Sequence, residues 1–303
     1  MFRLIACSLA LCVSPFNTGC AATAIDTAGV NKSVVFFFGA DPEGHVLPNN
    51  QLATGFLIMV TGKSGQNTYP LLVTARHVVD PLWAGCAPAN PARLFLRVNN
   101  KSFDPQSDQI GVSYIAVELF QNGTQMWNKS QDDNVDVAVL KAPPEFLSGD
   151  YDVRFINVRN FGRPDEISKI GIGSQVASTG LVPGVAGTKR NFSAFKFGKV
   201  AGIPDEMATL QCAPHSPTRT LRVWWIAVNL VPGNSGSPIY FDPLFPPGSD
   251  ISVGEPRVMI IGLQSLSVSG ADLAGMTPAQ YIIDVISHAV PADADISLGL
   301  PSK

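Results

Sequence analysis

Short runs of apolar, β-branched and aromatic residues recur along the chain, separated by clusters of Gly, Pro, Asn and Asp. Runs of this length and composition are typical of β-strands bounded by turns. One set of strands is predicted at Val34–Phe38, Thr54–Val60, Leu71–Thr74, Arg93–Val98, Ser113–Phe120 and Val135–Leu140. A second set is predicted at Gln175–Thr179, Asn191–Lys199, Leu221–Val228, Gly236–Tyr240 and Val258–Ser265.

The stretch from Lys141 to Asp165 separates the two sets and is rich in Pro and Gly, as expected of a connector. The pattern therefore predicts two β-barrels or sandwiches, one in residues 25–150 and one in residues 151–303.

One helix is predicted near the C-terminus. Thr277 can cap it, Pro278 can occupy its first position, and Gln280 completes a capping-box pattern. An apolar stripe at helical spacing follows, at Tyr281, Ile282, Val285, Ile286 and Ala289. We expect this helix to close the second barrel.

Composition supports a β-rich globular protein. Of the 303 residues, 46% are hydrophobic and only 15% are charged, which excludes a disordered chain and a coiled coil. Gly and Pro together number 27 + 24 = 51 of 303, above the roughly 12% of average usage. The formal net charge of −3 provides no basic stripe for a phosphate backbone, so nucleic-acid binding is not expected.

The N-terminus resembles a signal peptide. Arg3 supplies a positive charge, Leu4 to Val13 form an apolar run, and Ala22-Thr23-Ala24 is a small-x-small cleavage site. Residues 1–24 are therefore predicted to be removed from an exported protein, periplasmic or secreted, that is not stably inserted in the membrane. An alternative is lipidation at Cys20, although Asn17 stands where that pattern prefers an apolar residue.

Two cysteines, Cys86 and Cys212, would remain after cleavage. In an exported protein they can form a disulfide, and two free thiols are the alternative. His45, His77, His215 and His288 have no paired ligand spacing, so no metal site is expected.

Three segments place one reactive residue at or beside an apolar strand: Leu72–Val79 with His77, Asn134–Leu140 with Asp136, and Pro232–Pro238 with Ser235. A serine hydroxyl needs a base to take its proton, and a neutral imidazole needs a carboxylate to fix its tautomer. A neighbouring Gly lets backbone N–H groups approach an oxyanion. Together the three residues favour nucleophilic catalysis.

The order and spacing of these blocks, T-A-R-H, D-V-A-V-L and G-N-S-G-S-P, resemble the trypsin/chymotrypsin-like serine proteases, particularly their bacterial exported branch. The resemblance covers residues from about Thr54 to Ser267. It implies an all-β fold of two six-stranded antiparallel β-barrels with a C-terminal α-helix. It also implies that His77 is the general base, Asp136 its orienter and Ser235 the nucleophile, with the N–H groups of Gly233 and Ser235 as the oxyanion hole.

Two positions depart from the family pattern. Asn234 stands where many digestive members have an aspartate that pairs with a newly cut N-terminus. An amide cannot replace that charge pair, so we expect local hydrogen bonds to order the site, although a short propeptide ending near Asn31 stays open. Ser237 stands where the family usually has Gly, and its side chain is expected to add bulk near the substrate cleft.

The resemblance also predicts the substrate pocket. Asn229 would lie at its floor, and Ser265 and Ser267 in its wall. None of these residues is a carboxylate, so a preference for Lys or Arg is disfavoured.

The predicted function is that of an exported serine endopeptidase which cuts protein or peptide substrates through an acyl-enzyme, without metal or organic cofactor. A protease-like binding protein without activity and an esterase with the same triad are the alternatives. The oligomeric state is left open.

Overall fold

The structure is a computed structural model, and it describes residues 27–298 except 105, 107, 186, 212–216, 242–258 and 269. The predicted signal peptide, Cys212 and His215 lie outside the described residues.

Among the described residues up to Asn160 there are two short α-helices, two 3₁₀ helices and ten strands. The α-helices are α1 (Thr27–Ser33) and α2 (Arg76–Val79), and the 3₁₀ helices are Pro144–Leu147 and Val158–Asn160. The strands are β1 (Val34–Ala40), β2 (Val46–Gly62), β3 (Thr68–Thr74), β4 (Arg93–Asn99), β5 (Val112–Glu118), β6 (Phe120–Gln121), β7 (Thr124–Gln125), β8 (Trp127–Lys129), β9 (Ala138–Lys141) and β10 (Ile156–Asn157).

The described residues after Asn160 contain two α-helices and nine strands. The helices are α3 (Pro164–Ile167) and α4 (Ala279–Ala289). The strands are β11 (Gln175–Gly180), β12 (Ala194–Gly202), β13 (Ala208–Leu210), β14 (Arg219–Leu221), β15 (Trp224–Ala227), β16 (Pro238–Phe241), β17 (Met259–Val268), β18 (Leu273–Pro278) and β19 (Ala294–Asp295).

A nine-stranded sheet forms the N-terminal half, in the order β5-β4-β1-β2-β3-β9-β8 with β10 and β19 also paired to β2. The long strand β2 is its centre because it pairs antiparallel with β1 and β3 along most of its length. Two of its members, β10 and β19, come from residues after 150, and β10 pairs with β2 in parallel. This sheet is therefore larger than the six-stranded barrel expected, although the all-β fold class is confirmed.

The C-terminal half is a closed barrel of six antiparallel strands, in the order β11-β12-β15-β18-β17-β16. Strand β18 was not predicted, because Gly275 and Pro278 interrupt its apolar pattern. In the barrel Gly275 packs against the side chain of Leu266, and a Cβ there would lie 2.8 Å from Leu266 Cγ. The glycine is thus required by a close approach of two strands rather than by a turn.

Helix α4 begins later than the sequence predicted. Its N-cap is Pro278, and Thr277 lies inside strand β18, paired with Leu263 of β17. The Thr277 hydroxyl bonds the hydroxyl of Ser265 instead of capping the helix. The capping-box prediction was wrong because Thr277 is held in the sheet by strand pairing.

The apolar stripe of α4 packs against both halves, on β8 and β9 of the N-terminal sheet and on β17 and β18 of the barrel. Ala279, Ile282, Val285 and Ile286 are buried in the same hydrophobic cluster as the residues of β2, β3 and β9. After the helix, β19 pairs with the end of β2. The helix therefore crosses from one half to the other and does not close the second barrel, which its own strands close.

This packing gives a stability prediction. Ile282 is 0% exposed, so Ile282→Ala should lower the free energy of unfolding by about 2–5 kcal/mol through lost burial and a residual cavity. Ile172 is 73% exposed, and Ile172→Ala should change the same quantity by no more than about 0.5 kcal/mol. Urea unfolding of both variants measures the difference, and equal losses would contradict the packing of α4.

Candidate active site

His77 lies just after a buried strand. Strand β3 ends at Thr74, and the four-residue helix α2 begins at Arg76. This sharp change from strand to helix places His77 at the edge of the N-terminal sheet. Only 16% of its side chain is exposed.

Asp136 binds His77 through both of its carboxylate oxygens. Oδ1 accepts the backbone N–H of His77 at 2.9 Å, and Oδ2 lies 2.7 Å from His77 Nδ1. The Asp136 side chain is fully buried. Since a carboxylate only accepts, the neutral imidazole carries its proton on Nδ1 and keeps a lone pair on Nε2.

The pKa of the His77 imidazole is raised above its ordinary value. Burial opposes the charged ring, but the negative charge of Asp136 and its hydrogen bond to the ring favour that form more strongly. The pair therefore stabilises a cation on His77.

Asp136 lies immediately outside strand β9, which begins at Ala138 rather than at Val135. A turn precedes it, in which the Asp132 side chain accepts the N–H of Asn134 at 3.0 Å and the Asp132 carbonyl accepts that of Val135 at 3.1 Å. The turn directs the Asp136 carboxylate toward His77.

Asp132 and Asp133, in the turn that precedes Asp136, are in ion pairs. Asp132 lies 2.6 Å from Arg222 Nε, and the hydrogen bond from Arg222 lowers the pKa of the Asp132 carboxyl. Asp133 binds Arg76 at 2.7 Å and Arg219 at 3.2 Å. Both turn aspartates thus connect the Asp136 loop to residues 219–222 of the second half.

Trp83 completes this contact between the halves. Its ring is packed by the guanidinium of Arg76, 4.2 Å from the ring centroid, and that of Arg219, 5.7 Å away. Arg219 Nε also donates to the Trp83 carbonyl at 2.5 Å. The roles of Arg76, Trp83 and Arg219 could not be identified from the sequence, although Arg76 directly precedes His77.

The loop that carries Ser235 is ordered by the side chain of Asn234, which is 1% exposed. Its Nδ2 donates to the Leu181 carbonyl at 2.8 Å, and its Oδ1 accepts the N–H of Val231 at 3.0 Å and Lys196 Nζ at 3.1 Å. Burial lowers the pKa of the Lys196 ammonium. Local hydrogen bonds thus satisfy the amide, as expected from Asn at this position.

Thr54 of strand β2 holds the same loop against the N-terminal half. Its N–H donates to the Ser235 carbonyl at 2.9 Å, and its hydroxyl donates to the Gly233 carbonyl at 2.8 Å. Gly236 lies so close that a Cβ there would overlap the Thr54 carbonyl and lie 3.0 Å from the N of Ala75. Because Ala75 is two residues before His77, these contacts bring Ser235 into the neighbourhood of the His77–Asp136 pair.

The backbone N–H groups of the loop fall into two sets. Those of Asn234, Gly236 and Ser237 donate to carbonyls of Val231, Gln264 and Asn234, at 3.0, 2.8 and 2.8 Å. Those of Gly233 and Ser235 donate to no acceptor within the described part of the chain. Gly233 has φ +97°, a conformation that favours glycine. Two free donors on either side of Asn234 can bind an oxyanion.

The Ser235 side chain is half-buried. Among the described residues its hydroxyl forms no hydrogen bond with His77. Such bonds are often long in the absence of substrate and shorten when it binds.

The residues predicted for the substrate pocket lie in different environments. Asn229 is exposed and Ser267 is half-buried. Ser265 is 1% exposed, and its hydroxyl is bonded to Thr277. The pocket therefore stays a prediction.

Ser237 does not add bulk to the cleft, contrary to expectation. It is 0% exposed and packs against Gly180, where a Cβ would overlap its Oγ. Its hydroxyl has no hydrogen-bond partner among the described residues. Gly180 leaves the space that the serine occupies inside the barrel.

Cys86 is disulfide-bonded. Every other cysteine of the chain, Cys212 included, lies outside the described residues. The pairing with Cys212 therefore stays a prediction, whereas the alternative prediction of a free thiol at Cys86 is wrong. Gly85, the residue before Cys86, lies beside Pro217: a Cβ added at Gly85 would lie 2.9 Å from Cδ of Pro217.

In the described part of the chain, no group of three or more His, Cys, Asp or Glu side chains is arranged to hold a metal ion. None of its helices combines the length and apolar character needed to cross a membrane.

Comparison with known proteins identifies the fold. No family model matches the sequence, and no curated protein matches it. Among solved structures, the MamO protease domain from Magnetospirillum magneticum is similar, with TM-score 0.50 and 15% identity over 87% of this chain and 98% of that one.

Two further solved structures have lower TM-scores. Deg5 gives 0.48 at 15% identity, covering 88% of this chain and 93% of its own. The active form of the Rv3671c protease from M. tuberculosis gives 0.45 at 16% identity, covering 91% and 86%.

At these identities the likeness concerns the fold. The chain has the trypsin-like serine protease fold, and the resemblance stated from the three sequence blocks is confirmed at that level.

The contact of Gly236 with Thr54 gives a second prediction. Gly236 has φ +83°, and Gly236→Ala adds both backbone strain and overlap with the Thr54 carbonyl. Gly123 is the control, because it has φ +77° but a Cβ added there would have no atom within 4 Å. Gly123→Ala should therefore lower the free energy of unfolding through backbone strain alone, by about 1–2 kcal/mol. Urea unfolding should show that Gly236→Ala costs about 1–3 kcal/mol more than this control. Equal losses would mean that the loop does not rest against Thr54.

Proposed function

We propose that the chain is an exported serine endopeptidase in which His77, Asp136 and Ser235 form the catalytic triad. The observation that carries the proposal is the double hydrogen bond of the buried Asp136 carboxylate to the ring and backbone of His77. A neutral His77 with its lone pair on Nε2 has the protonation state that a general base requires.

The proposed reaction has two steps. His77 Nε2 takes the proton of the Ser235 hydroxyl as its Oγ attacks the scissile carbonyl, and the imidazolium then donates that proton to the departing amine. Water then attacks the ester on Ser235 as His77 Nε2 takes its proton. The bond from the acyl carbon to Ser235 Oγ breaks, the imidazolium returns the proton to Oγ, and the acid product leaves.

The N–H groups of Gly233 and Ser235, which donate to no acceptor among the described residues, support an oxyanion hole in this mechanism. Their neighbours in the loop are all bonded elsewhere, so the two donors are held in place before substrate arrives. Fixed donors of this kind stabilise a developing oxyanion without reorganisation.

Export is proposed on two observations. The sequence begins with a segment that resembles a signal peptide over residues 1–24. Cys86 is disulfide-bonded, and structural disulfides persist mainly in oxidising compartments such as the periplasm or the cell exterior.

Probe labelling tests the nucleophile. A serine-directed phosphonate should label the wild-type chain, and Ser235→Ala should abolish labelling while the folded state is retained. Ser237→Ala is the matched control, since its buried hydroxyl has no partner among the described residues and its removal should leave labelling intact. Undiminished labelling of Ser235→Ala would refute the assignment.

Substrate turnover separates the proposal from its alternatives. Casein and peptide hydrolysis by the purified mature chain supports an endopeptidase. Ester hydrolysis without peptide hydrolysis would indicate an esterase. A wild-type chain that the phosphonate does not label would indicate a binding protein.

The raised pKa of His77 sets the pH dependence. Protonated His77 cannot accept the serine proton, so kcat/KM should rise with pH along a limb centred above the ordinary histidine value of about 6.5. Asp136→Asn removes the charge that raises the pKa, so the limb should move to lower pH and kcat should fall about 10⁴-fold. Rates measured from pH 5 to 9 test this, and a flat wild-type profile would contradict the role of His77.

A further inference from the structure

The backbone around His77 and Asp136 has little regular structure of its own. Helix α2, which carries His77, has only four residues, and its N-cap Ala75 makes no side-chain hydrogen bond to it. A helix this short is not stable by itself in water. Asp136 belongs to residues 135–137, which lie between a turn and strand β9 and have no regular structure. Tertiary contacts are therefore needed to fix the helix and the turn relative to each other.

Arg76, the residue before His77, makes such contacts with both elements. Its side chain is only 5% exposed. Its Nε donates to Asp80 Oδ2 at 3.0 Å, at the end of α2. Its Nη1 donates to Asp133 Oδ1 at 2.7 Å, three residues before Asp136. One planar guanidinium thus joins the helix of His77 to the turn of Asp136.

Further side chains hold this guanidinium and its partner Asp133. The Trp83 ring centroid lies 4.2 Å from Arg76 Cζ. Arg219, from the second half, donates to Asp133 Oδ2 at 3.2 Å and to the Trp83 carbonyl at 2.5 Å. Lys129 Nζ lies 3.9 Å from Asp133 Oδ1. Asp133 therefore has a different arginine on each of its carboxylate oxygens.

The ion pair between Arg76 and Asp133 persists over the pH range in which a histidine base works. Burial opposes ionisation of Asp133, but the hydrogen bond and the charge of Arg76 lower the pKa of its carboxyl below the ordinary value. Arginine stays protonated at every relevant pH. The contact is thus constant while His77 titrates, and among the described residues the charge that shifts the pKa of His77 is that of Asp136.

We propose that Arg76 is a positioning residue of the triad, which binds Asp80 and Asp133 at once and so holds the Asp136 carboxylate against His77. This inference rests on the proposed function, because it gives Arg76 a part in the catalysis by that pair. Arg76 acts only through the helix and the turn that it joins. A displacement of about 1 Å at a catalytic contact is enough to lower a rate about a hundredfold.

Arg76→Lys tests this geometry at constant charge. Lysine has the charge of arginine but not the planar fork, so it cannot bind Asp80 and Asp133 in the same arrangement. With active sites counted by phosphonate titration, kcat should fall about tenfold while KM is unchanged. The pH limb of kcat/KM should move to lower pH, because a looser contact with Asp136 raises the pKa of His77 less.

Proton NMR gives a readout that does not depend on turnover. The short hydrogen bond from His77 Nδ1 to Asp136, 2.7 Å long, should place the resonance of that proton far downfield. Arg76→Lys and Asp133→Asn should each move this resonance upfield or broaden it through exchange with water. The double variant should lose no more kcat than the weaker of the two single variants, since both changes remove one contact.

Arg97→Lys is the matched control. Arg97 is 4% exposed, as Arg76 is, and its Nη2 donates to the carbonyls of Gly187 and Thr188, at 2.8 and 2.9 Å. None of these contacts involves the turn before Asp136. Arg97→Lys should therefore leave the pH limb and the Nδ1 proton resonance as in wild type.

The outcomes separate the two proposals. A wild-type pH limb and an unmoved resonance in Arg76→Lys and Asp133→Asn overturn the inference and leave the proposed function intact. Equal shifts in Arg97→Lys also overturn it. If Arg76→Lys does not fold, Asp133→Asn decides alone, because the Asp133 side chain is 53% exposed and its replacement disturbs little of the interior. A wild-type chain that the phosphonate does not label overturns the proposed function, and the inference with it.

Discussion

The arrangement of the site depends on one buried residue, Thr54. Its N–H and hydroxyl donate to the carbonyls of Ser235 and Gly233, and its hydroxyl also accepts the N–H of Leu181 at 2.9 Å. Thr54 is 0% exposed, and loss of its hydroxyl would leave the Gly233 carbonyl and the Leu181 N–H without this partner in the interior, at a cost of about 1–3 kcal/mol per group. A single position of the N-terminal sheet thus holds the nucleophile loop of the C-terminal barrel. The neighbouring strand β3 pairs with β2 and leads directly to His77.

The loop that carries Asp136 and the loop that carries Ser235 differ in charge. Asp136 is buried beside His77 and is compensated by hydrogen bonds from the ring and the backbone, whereas Asp133 lies nearer the surface between Arg76 and Arg219. On the nucleophile loop the residue before Ser235 is the neutral Asn234, whose Nδ2 donates to the Leu181 carbonyl and whose Oδ1 accepts the N–H of Val231. A buried amide needs no counter-charge, so the loop can be ordered without a charged partner delivered by cleavage.

Much of this fold could be predicted from the sequence, because most strands are short apolar runs bounded by Gly, Pro and Asn. His77, Asp136 and Ser235 could be found because each lies beside such a run. Pairings between distant segments could not be predicted: Arg76 and Asp133 are 57 residues apart, and Arg219 and Asp133 are 86 apart. Helix α4 shows the same limit, since its stripe indicates a buried face but does not indicate that strands of both halves cover it.

The errors at Thr277 and Ser237 have a common cause. Both residues have small hydroxyl side chains that were assigned from a local pattern, Thr277 to a helix cap and Ser237 to the edge of the substrate cleft. Strand pairing buries the first, and the second packs against a facing glycine. Local preference is worth about 1 kcal/mol at a cap, whereas moving Thr277 out of β18 would break the pairing that closes the barrel. Where a local signal and a sheet register compete, the register determines the structure, because every residue along the strand shares in its energy.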